Sequence, residues 1–535
     1  MKNQNRLSRR SVFKSAVAGV AGIAGAGVFI SQQRQQVAQA TANEESIEAL
    51  VIGSGFGGSV AALRLGQAGY QTVVLERGLR WPITAQENTF ATYEHPDGRA
   101  AWLSPTTVDP INQNVPITRY TGVLDRHSGN GITVLSGVGV GGGSLVNNAA
   151  LVQPTQQLFS RQFPALDYHQ FAEVYYPRVR SILQPGPLPA DILASSYYLC
   201  TRVFLAWAAR AGLSPSLIQS AIDWKRVRQE MSGARIPSAI AGEVWYGMNS
   251  GAHKSLDQNY LAQAQATGCV EILPLHMVTD IEQTTWGGYR VSCQQIDTSG
   301  TVLKNVTFTC KYLFLAAGSI KTSELLVKAK AKGQLPQLNG HVGQGWGNNG
   351  DLVAFTFGFP PTNPGQGGPG SAQITDSGNP LGPVVVESGP FHGAPDGSMG
   401  TFAMVMPPSG AFPAKGVFQY DPGTDTVRVQ WPSNDPAITN LTAAGMQTYS
   451  RLRVSMMPGA PPVTSNVQTG LTVHPLGGMV LGKACDLDGR VCGYQNLYVV
   501  DGSLIPGSTG CANPSLTIAA LAERIMDQFV ATTNP

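Results

Sequence analysis

The residues best suited to acid–base chemistry are His474, in the run His-Pro-Leu-Gly-Gly at 474–478, and Glu387, which follows an apolar run. A histidine has a pKa of about 6.5, so it can accept the proton of an alcohol hydroxyl near neutral pH. A buried carboxylate has a raised pKa and can take a proton from one carbon and return it to another. A structural histidine and a solvated strand-end glutamate are the alternative interpretations. The two residues therefore indicate proton transfer without fixing a substrate.

A glycine-rich turn near the start of the chain is typical of dinucleotide binding. The segment 46–76 has the pattern of a strand, a helix and a second strand, with Gly53-x-Gly55-x-x-Gly58 after the first strand. Gly53 would make the tight turn, Gly55 would admit a pyrophosphate, and Gly58 would let the helix pack closely. Glu76 ends the second strand, where its carboxylate can bind two ribose hydroxyls. Free N–H groups at the helix N-terminus favour phosphates.

Three further segments favour FAD over NAD. They are a glycine-rich loop at 137–147, a strand pattern at 313–317 followed by a helix at 321–328, and a strand at 496–500 that reaches Asp501-Gly502 before a helix at 515–529. Backbone without side chains in the loop could lie flat against a planar ring. A cofactor fold assembled from both ends of the chain suits a long FAD that is held extended. A nicotinamide-dependent dehydrogenase remains an alternative.

The elements that must position these residues predict an α/β protein with two domains. The chain has 535 residues, of which 42% are hydrophobic and 13% charged, enough for more than one core. The predicted FAD-binding domain is Rossmann-like and discontinuous, comprising 43–150, 261–345 and 466–535. The predicted substrate domain is α+β and also discontinuous, comprising 151–260 and 346–465. It should contain a sheet, covered by helices, that roofs the flavin ring beside a largely apolar cavity.

Aromatic residues are frequent in the first part of the predicted substrate domain. They are Tyr175, Tyr176, Tyr197, Tyr198, Phe204 and Trp207. Across both parts of the substrate domain, we expect most aromatic and Met residues to be ordinary core residues and some to line the pocket.

Residues 1–42 are predicted to be an export signal of the twin-arginine type. Arg9 and Arg10 precede a weakly apolar run at 16–30 and a small-residue site at 38–40. The run is shorter than the roughly 20 residues that span a bilayer, so a membrane anchor is the weaker interpretation. This pathway exports folded proteins, which suits a chain that must acquire a flavin first. The protein is expected to be secreted or periplasmic.

Charge and cysteine content exclude other classes of protein. Removing residues 1–40 takes away six cationic residues and no acidic one, which turns the formal net charge from +3 to −3. A slightly acidic surface argues against nucleic-acid binding. The seven cysteines contain no CxxC pair, so no metal site is predicted. Buried free thiols are the expectation, and a Cys485–Cys492 disulfide is the alternative.

Several motifs in one order resemble the glucose-methanol-choline oxidoreductase family and, within it, the cholesterol oxidases that bind FAD non-covalently. The similarity covers nearly all of residues 44–530, and its most specific blocks are 120–126, 141–147, 343–350, 474–478 and 501–508. The resemblance implies that the sheet of the substrate domain is of the six-stranded type and that the 3β-hydroxyl of a sterol is oxidised to a ketone while O2 is reduced to H2O2. It also implies migration of the Δ5 double bond, which gives cholest-4-en-3-one from cholesterol.

The resemblance also assigns roles to individual residues. His474 matches the histidine that contacts the steroid hydroxyl, Glu387 the glutamate that moves the double bond, and Asn513 the asparagine beside the flavin. An asparagine does not titrate near neutral pH, but its NH2 group can donate toward a reduced flavin. A turn residue before Pro514 is the alternative interpretation of Asn513.

The predicted cofactor contacts come from the glycine turn and from the motifs of the family. They are Gly53, Gly55, Phe56, Gly57, Gly58, Glu76, Gly142, Gly143, Asn147, Val278, Asp501, Gly502 and Ser515. Asn147 is also expected to help orient the flavin ring. Ala150 and Ser515 are smaller than the residues expected near the flavin, which implies a roomier or repositioned pocket.

The expected partners are a sterol and O2, and a monomer is expected. Loops such as 360–371 could open at a membrane surface to admit the sterol, which implies transient contact with that surface. Three alternatives stay open: a family member that acts on a non-steroidal alcohol, a nicotinamide-dependent dehydrogenase, and a flavoprotein that only binds a ligand. A sugar oxidase would need a polar pocket, whereas the candidate substrate segments are apolar and poor in charge.

Overall fold

The computed structural model describes residues 44–84, 86–110 and 114–533. The predicted export signal at 1–42 lies outside them. The strands are β1 (Glu44–Ile52), β2 (Thr72–Leu75), β3 (Leu124–Ser128), β4 (Thr133–Gly137), β5 (Pro215–Leu217), β6 (Val270–Leu273), β7 (His276–Gln283), β8 (Tyr289–Ile296), β9 (Val302–Leu315), β10 (Gln344–Gly347), β11 (Leu352–Phe357), β12 (Ala372–Asp376), β13 (Val384–Gly389), β14 (Ser398–Val405), β15 (Val417–Asp421), β16 (Thr426–Gln430), β17 (Thr464–Gln468), β18 (Leu471–Thr472), β19 (Leu476–Gly478) and β20 (Leu497–Val499).

The helices are α1 (Phe56–Gln67), α2 (Gln156–Gln162), α3 (Tyr168–Gln170), α4 (Tyr176–Leu183), α5 (Ala190–Leu193), α6 (Leu199–Arg210), α7 (Trp224–Met231), α8 (Tyr260–Ala266), α9 (Gly318–Ala331), α10 (Pro436–Arg451) and α11 (Pro514–Thr532). Helices α2 to α8 follow one another between residues 156 and 266, and the other helices are separated by strands. A π-helical turn, Phe171–Tyr175, joins α3 to α4. No helix among the described residues is long and apolar enough to cross a membrane.

A seven-stranded sheet carries the glycine turn. Its order is β6-β2-β1-β9-β8-β7, and β20 pairs with the last residues of β9. Strands β6, β2, β1, β9 and β20 pair in parallel, whereas β7 and β8 are antiparallel. The residues 49–52 of β1 are fully or almost fully buried, as expected for a parallel strand with helices on both faces of its sheet. Parallel pairing brings the carboxyl ends of β1, β2, β9 and β20 to one edge of the sheet.

A six-stranded antiparallel sheet lies opposite that edge. Its order is β17-β11-β14-β13-β12-β5. Ala403 of β14 pairs with Leu352 of β11 and with Val386 of β13, so the three side chains share one face, and they belong to the hydrophobic core that also contains residues of α6 and α10. Val353, Glu387 and Phe402 face the other way, because side chains alternate along a strand. The predicted α/β fold with a six-stranded sheet covered by helices is confirmed, while the predicted domain boundaries stay predictions.

The helical segment 151–260 is mostly core, as expected from its aromatic residues. Tyr175, Tyr176 and Tyr198 are buried in the same core as the parallel sheet, and Phe204 and Trp207 in the core of the six-stranded sheet. The segment therefore packs against both sheets and contributes only the short β5 to the second one.

All seven cysteines are free thiols. Cys485 is buried and Cys492 is partly exposed, and no disulfide joins them. Burial raises the pKa of the Cys485 thiol well above its usual value. A buried, protonated thiol is a poor nucleophile, so Cys485 acts as a small apolar residue.

Candidate active site

A cavity of about 890 Å³ lies between the carboxyl ends of the parallel strands and the free face of the six-stranded sheet. It is lined by every residue that the sequence predicted for the site except Gly58. The lining residues among the predictions are His474, Glu387, Asn513, Gly53, Gly55, Phe56, Gly57, Glu76, Gly142, Gly143, Asn147, Val278, Asp501, Gly502 and Ser515. Segments far apart in sequence thus meet at one cavity.

Three glycines let the turn and α1 lie directly against the neighbouring strand ends. A Cβ at Gly53, whose φ is +98°, would lie 2.3 Å from the carbonyl oxygen of Ala316. A Cβ at Gly57 would lie 1.8 Å from the carbonyl oxygen of Val500, and one at Gly58 would lie 2.0 Å from that of Gly53. Gly58 therefore has the packing role expected of it and does not line the cavity.

Two other glycines leave room for a ligand instead. A Cβ at Gly55 or Gly143 would have no heavy atom within 4 Å, and both residues line the cavity. Gly142 lies against Gly55, where its Cβ would come within 2.8 Å of the Gly55 Cα. The two glycine-rich segments form a cradle that side chains would fill, and a flat or extended cofactor fits it.

Two helices begin at the cavity without a side-chain cap. They are α1 and α11, whose N-cap residues are Gly55 and Asn513, whereas the first N–H of α9 donates to the Asp501 carboxylate. The first turn of a helix has unpaired N–H groups and a partial positive charge. These helix ends suit the phosphates and the electron-rich ring of a bound FAD.

Glu76 is held rigidly at the end of β2. Its Oε2 accepts hydrogen bonds from Ser54 N (3.2 Å) and Ser54 Oγ (2.6 Å), and its Oε1 accepts one from Gly78 N (2.9 Å). Oε1, which accepts one hydrogen bond, has a further lone pair to offer. The fixed carboxylate fits the ribose contact predicted for Glu76.

Asp501 has a structural role that the sequence analysis did not predict. Its Oδ2 accepts hydrogen bonds from Gly318 N (2.8 Å) and Thr322 Oγ1 (2.6 Å), at the start of α9. Its Oδ1 accepts hydrogen bonds from the backbone N–H and the hydroxyl of Ser503. The carboxylate therefore joins the end of β20 to the start of α9 beside the cavity. Burial raises the pKa of Asp501, and these hydrogen bonds lower it only in part.

Asn147 and Ser515 meet at the cavity wall. Asn147 Nδ2 donates to Ser515 Oγ over 3.2 Å, and Asn147 Oδ1 accepts from Ala149 N over 2.9 Å. Both polar atoms of the Asn147 side chain thus have protein partners. The amide plane is fixed, which suits a contact with a ring, and the orienting role of Asn147 stays a prediction.

His474 is paired with a buried carboxylate that the sequence analysis did not single out. Its Nδ1 lies 3.1 Å from Asp351 Oδ1, and the Phe402 ring packs edge-on against the imidazole with ring centroids 5.1 Å apart. Burial lowers the pKa of His474, but the charge and hydrogen bond of Asp351, together with the charge of Glu387, outweigh it, so the pKa lies above its usual value. A carboxylate can only accept, so Nδ1 carries the proton and Nε2 is left for a ligand.

Glu387 is the buried carboxyl group that the sequence predicted. It lies in β13, opposite Phe402 of β14, and is 1% exposed. Asn513 Nδ2 donates to Glu387 Oε2 over 3.2 Å, whereas the sequence analysis expected this amide to donate to the flavin. Burial raises the pKa of Glu387 to about 7, and the hydrogen bond from Asn513 and the charge of His474 lower it only in part.

Two buried oxygen atoms of this pair have no partner among the described residues. They are Glu387 Oε1 and Asn513 Oδ1. Buried polar atoms without a partner cost free energy unless a ligand or water satisfies them. Because both residues line the cavity, these atoms are suited to binding a polar group of a ligand.

The substrate side of the cavity is mainly aromatic and aliphatic. The rings of Phe355 and Phe391 stack with centroids 4.5 Å apart, and the lining also includes Val244, Trp245, Val353, Pro390 and Phe402. Of the stretch 151–260, Val244 and Trp245 are the lining residues. The loop 360–371 does not line the cavity and lies behind it, where Pro364 O accepts a hydrogen bond from Phe391 N.

The residues that sequence reasoning missed are Asp351 and Phe402. Asp351 directly follows the block 343–350 that carried the resemblance, so its position next to a functional motif was a usable signal. Phe402 had no such signal, because its contact with His474 depends on the pairing of β13 with β14.

Two sequence profiles described as GMC oxidoreductase match the chain, one over residues 47–345 and the other over residues 428–522. The chain belongs to the GMC oxidoreductase family. Among curated relatives, this GMC oxidoreductase is similar to the cholesterol oxidase of Mycobacterium tuberculosis (strain ATCC 25618 / H37Rv), with 26% identity over 89% of this chain and 90% of that protein. It is similar to the cholesterol oxidase of Acinetobacter baumannii, with 24% identity over 92% of this chain and 96% of that protein.

Solved structures share the fold of this GMC oxidoreductase. The pyridoxine 4-oxidase from Mesorbium loti matches with a TM-score of 0.60 and 16% identity, covering 90% of this chain and 99% of that chain. A fungal aryl-alcohol oxidase matches with a TM-score of 0.61 and 13% identity, covering 91% of this chain and 99% of that chain. Sequence identities this low indicate a shared fold and do not indicate a shared substrate.

Family membership and the cradle agree on the cofactor. The protein is an FAD-binding oxidoreductase of the GMC family, and the open space at Gly55 and Gly143, the N-termini of α1 and α11 and the fixed Glu76 carboxylate fit that cofactor. Non-covalent attachment of the FAD stays a prediction.

Proposed function

We propose that this GMC oxidoreductase oxidises the 3β-hydroxyl of cholesterol or a related sterol to the ketone and then moves the Δ5 double bond to give cholest-4-en-3-one. Bound FAD supplies the chemistry of taking a hydride from the alcohol carbon and passing two electrons to O2, which becomes H2O2. The observation that carries the proposal is a buried glutamate beside a histidine in an apolar cavity. Oxidation alone needs no second titratable group of this kind.

The histidine serves the oxidation step. Nε2 of His474 accepts the hydroxyl proton, since Nδ1 is occupied by Asp351. As the proton leaves, the lone pair of the oxygen forms the carbonyl bond and the carbon releases its hydride. Such general base catalysis contributes about 10²- to 10⁴-fold to a rate.

The glutamate serves the isomerisation step. With its pKa near 7, the Glu387 carboxylate can remove the C4 proton of the β,γ-unsaturated ketone and return a proton at C6, so no net proton is used. Asn513 steadies Glu387 through its hydrogen bond and leaves its own Oδ1 for the ligand.

The shape and polarity of the cavity support a sterol over a sugar. A sugar needs several polar partners, whereas aromatic and aliphatic side chains dominate the wall around Phe355 and Phe391. A sterol presents one hydroxyl and a large apolar body, which matches a pocket with few convergent polar groups. The two curated relatives named above are both cholesterol oxidases.

The proposal extends to the location and the oligomeric state of the protein. We propose export by the twin-arginine route to the periplasm or the medium, action as a monomer, and transient contact with a membrane surface from which the sterol is taken.

Rapid anaerobic mixing tests the substrate class. Cholesterol should bleach the yellow colour of the oxidised protein, and His474→Gln should slow the bleaching by about 10²-fold or more. Pyridoxine and an aryl alcohol serve as rival substrates. Bleaching by either rival but not by cholesterol would replace the sterol with a non-steroidal alcohol.

A further inference from the structure

We propose that Asp351 is a positioning residue that fixes His474 with its proton on Nδ1 and holds the positive charge that the imidazole gains when Nε2 takes the alcohol proton. The proposal rests on the proposed alcohol oxidation. According to this proposal, the orientation of the base is set by a residue outside the trio of His474, Glu387 and Asn513.

Asp351 is fixed by bonds that leave one oxygen for the histidine. Its Oδ2 accepts from Thr472 Oγ1 (2.6 Å) and from Val473 N (3.3 Å), and its Oδ1 lies 3.1 Å from His474 Nδ1. The hydroxyl of Thr472 also accepts from His474 N over 3.0 Å. The same carboxylate therefore holds both the backbone and the ring of the segment that carries the base.

The loop that supplies Asp351 also holds the segment that ends at Asn513. Asn349 Nδ2 donates to Ala512 O over 3.0 Å, and Asn349 Oδ1 accepts from Thr509 N over 3.0 Å. Gly350, the residue before Asp351, has a φ of +76°. It lies so close to β14 that a Cβ at this position would be 2.1 Å from the carbonyl oxygen of Val405. One short loop thus sets the positions of the histidine and the asparagine together.

The charges that face His474 come from two directions. Asp351 faces Nδ1 from the loop before β11, Glu387 approaches from β13, and the neutral Phe402 and Asn513 complete the surroundings. Burial alone would favour the neutral imidazole, but the two carboxyl groups favour the cation, and Asp351 contributes the larger part. An imidazolium formed during the reaction is therefore stabilised without any movement of the protein.

The proton and electron movements balance in this scheme. The hydroxyl proton goes to Nε2 of His474, the oxygen lone pair becomes the second bond of the carbonyl, and the carbon–hydrogen pair of electrons leaves as hydride to the FAD. Asp351 keeps its own charge throughout and takes no proton. Neutral His474 is the active form, so oxidation should rise with pH through the pKa of His474 and then level off.

The variant Asp351→Asn tests the proposal because it keeps the shape and removes the charge. In the FAD-loaded protein, ¹⁵N NMR of labelled histidines, with His474→Gln used for assignment, reports both the tautomer and the pKa of His474. We expect the pKa to fall by about one unit or more, because a nearby opposite charge shifts a pKa by about 1–3 units. The oxidation rate on its plateau should fall by about 10²-fold or more, and its pH limb should move to lower pH.

Asp376→Asn is the matched control. Asp376 is also buried and accepts hydrogen bonds from Thr448 and Arg451, but it does not line the cavity. We expect this variant to lower stability while the tautomer and pKa of His474 stay as in the wild type.

An unchanged tautomer and pKa of His474 in Asp351→Asn would overturn the proposal, whatever the substrate proves to be. A shifted pKa in a protein whose wild type oxidises no sterol would support the role of Asp351 and contradict only the proposed substrate.

Discussion

At the residue scale, the site separates two proton-transfer tasks by giving two groups opposite surroundings. His474 gains a carboxylate partner and is biased toward accepting a proton, whereas Glu387 loses contact with water and is biased toward keeping one. One site can carry out two acid–base steps when the surroundings of each group shift its pKa in the direction that its own step requires.

Replacing Glu387 by Gln should separate the two activities. The variant keeps the shape and can still accept from Asn513, so oxidation should continue at near the wild-type rate while isomerisation falls by about 10²-fold or more. The measurement is H2O2 release together with the ratio of cholest-5-en-3-one to cholest-4-en-3-one. Glu230→Gln is the control, because Glu230 is buried but binds Ser238 N and Ile240 N away from the cavity. Conjugated enone formed at the normal rate by Glu387→Gln would rule out this role.

The pH dependence of isomerisation should follow the ionisation of Glu387. Only the carboxylate can remove the C4 proton, and the pKa lies near 7, so the rate should rise with pH through about 7 and fall below it. Supplying cholest-5-en-3-one directly removes the oxidation step from the measurement. A rate that stays constant from about pH 5 to pH 9 would contradict Glu387 as the base.

At the element scale, the cofactor-binding part of the cavity is built from strand ends and helix N-termini that contact one another at glycine residues. Gly53, Gly57 and Gly58 allow contacts that any Cβ would block, and Gly55 and Gly143 leave the space of the cradle open. The first set serves the fold and the second set serves the ligand.

The variant Gly55→Ala should fold and fail to hold FAD. Gly55 has an ordinary φ of −71° and no neighbour within 4 Å of its Cβ, so the added methyl group enters the cavity without disturbing the protein. We expect FAD affinity to fall by at least about tenfold, or about 1.4 kcal/mol. The flavin-to-protein absorbance ratio after dialysis measures it. Gly340→Ala, equally free of neighbours but outside the cavity, should stay yellow; full FAD retention in Gly55→Ala would contradict the cradle.

The sequence predicted the elements whose signals are local. The strand, turn and helix around Gly53 lie within one stretch of chain, and α9 and α11 appear at 318–331 and 514–532 where helices were expected at 321–328 and 515–529. Contacts between distant segments carry no local pattern. Asp351 lies 123 positions from His474, and Phe402 reaches the histidine only because β13 and β14 pair in one register, so neither could be read from spacing.

At the scale of the whole molecule, both ends of the chain build the cofactor site. Strand β1 pairs with β9, β9 pairs with β20, and α1 packs beside α11. The cradle therefore needs segments from nearly the whole chain. This requirement agrees with the proposal that the protein folds and loads FAD before export.

Replacing Arg9 and Arg10 by Lys tests that proposal. The charge is unchanged, but the paired arginines of the predicted signal are lost, so we expect yellow, active protein to accumulate in the cytoplasm. Cell fractionation followed by activity and flavin measurements reports the location. Normal export of the Lys–Lys variant would contradict the twin-arginine route. The control is a variant with the charge-conserving changes Lys2→Arg and Arg6→Lys, which keeps Arg9 and Arg10.

The most direct test of the account is aerobic incubation of the mature, yellow protein with cholesterol, with H2O2 followed and the steroid product identified. The account predicts one H2O2 for each cholest-4-en-3-one formed. H2O2 with cholest-5-en-3-one as the final product would contradict the role of Glu387, and no turnover despite bound FAD would contradict a sterol as the substrate.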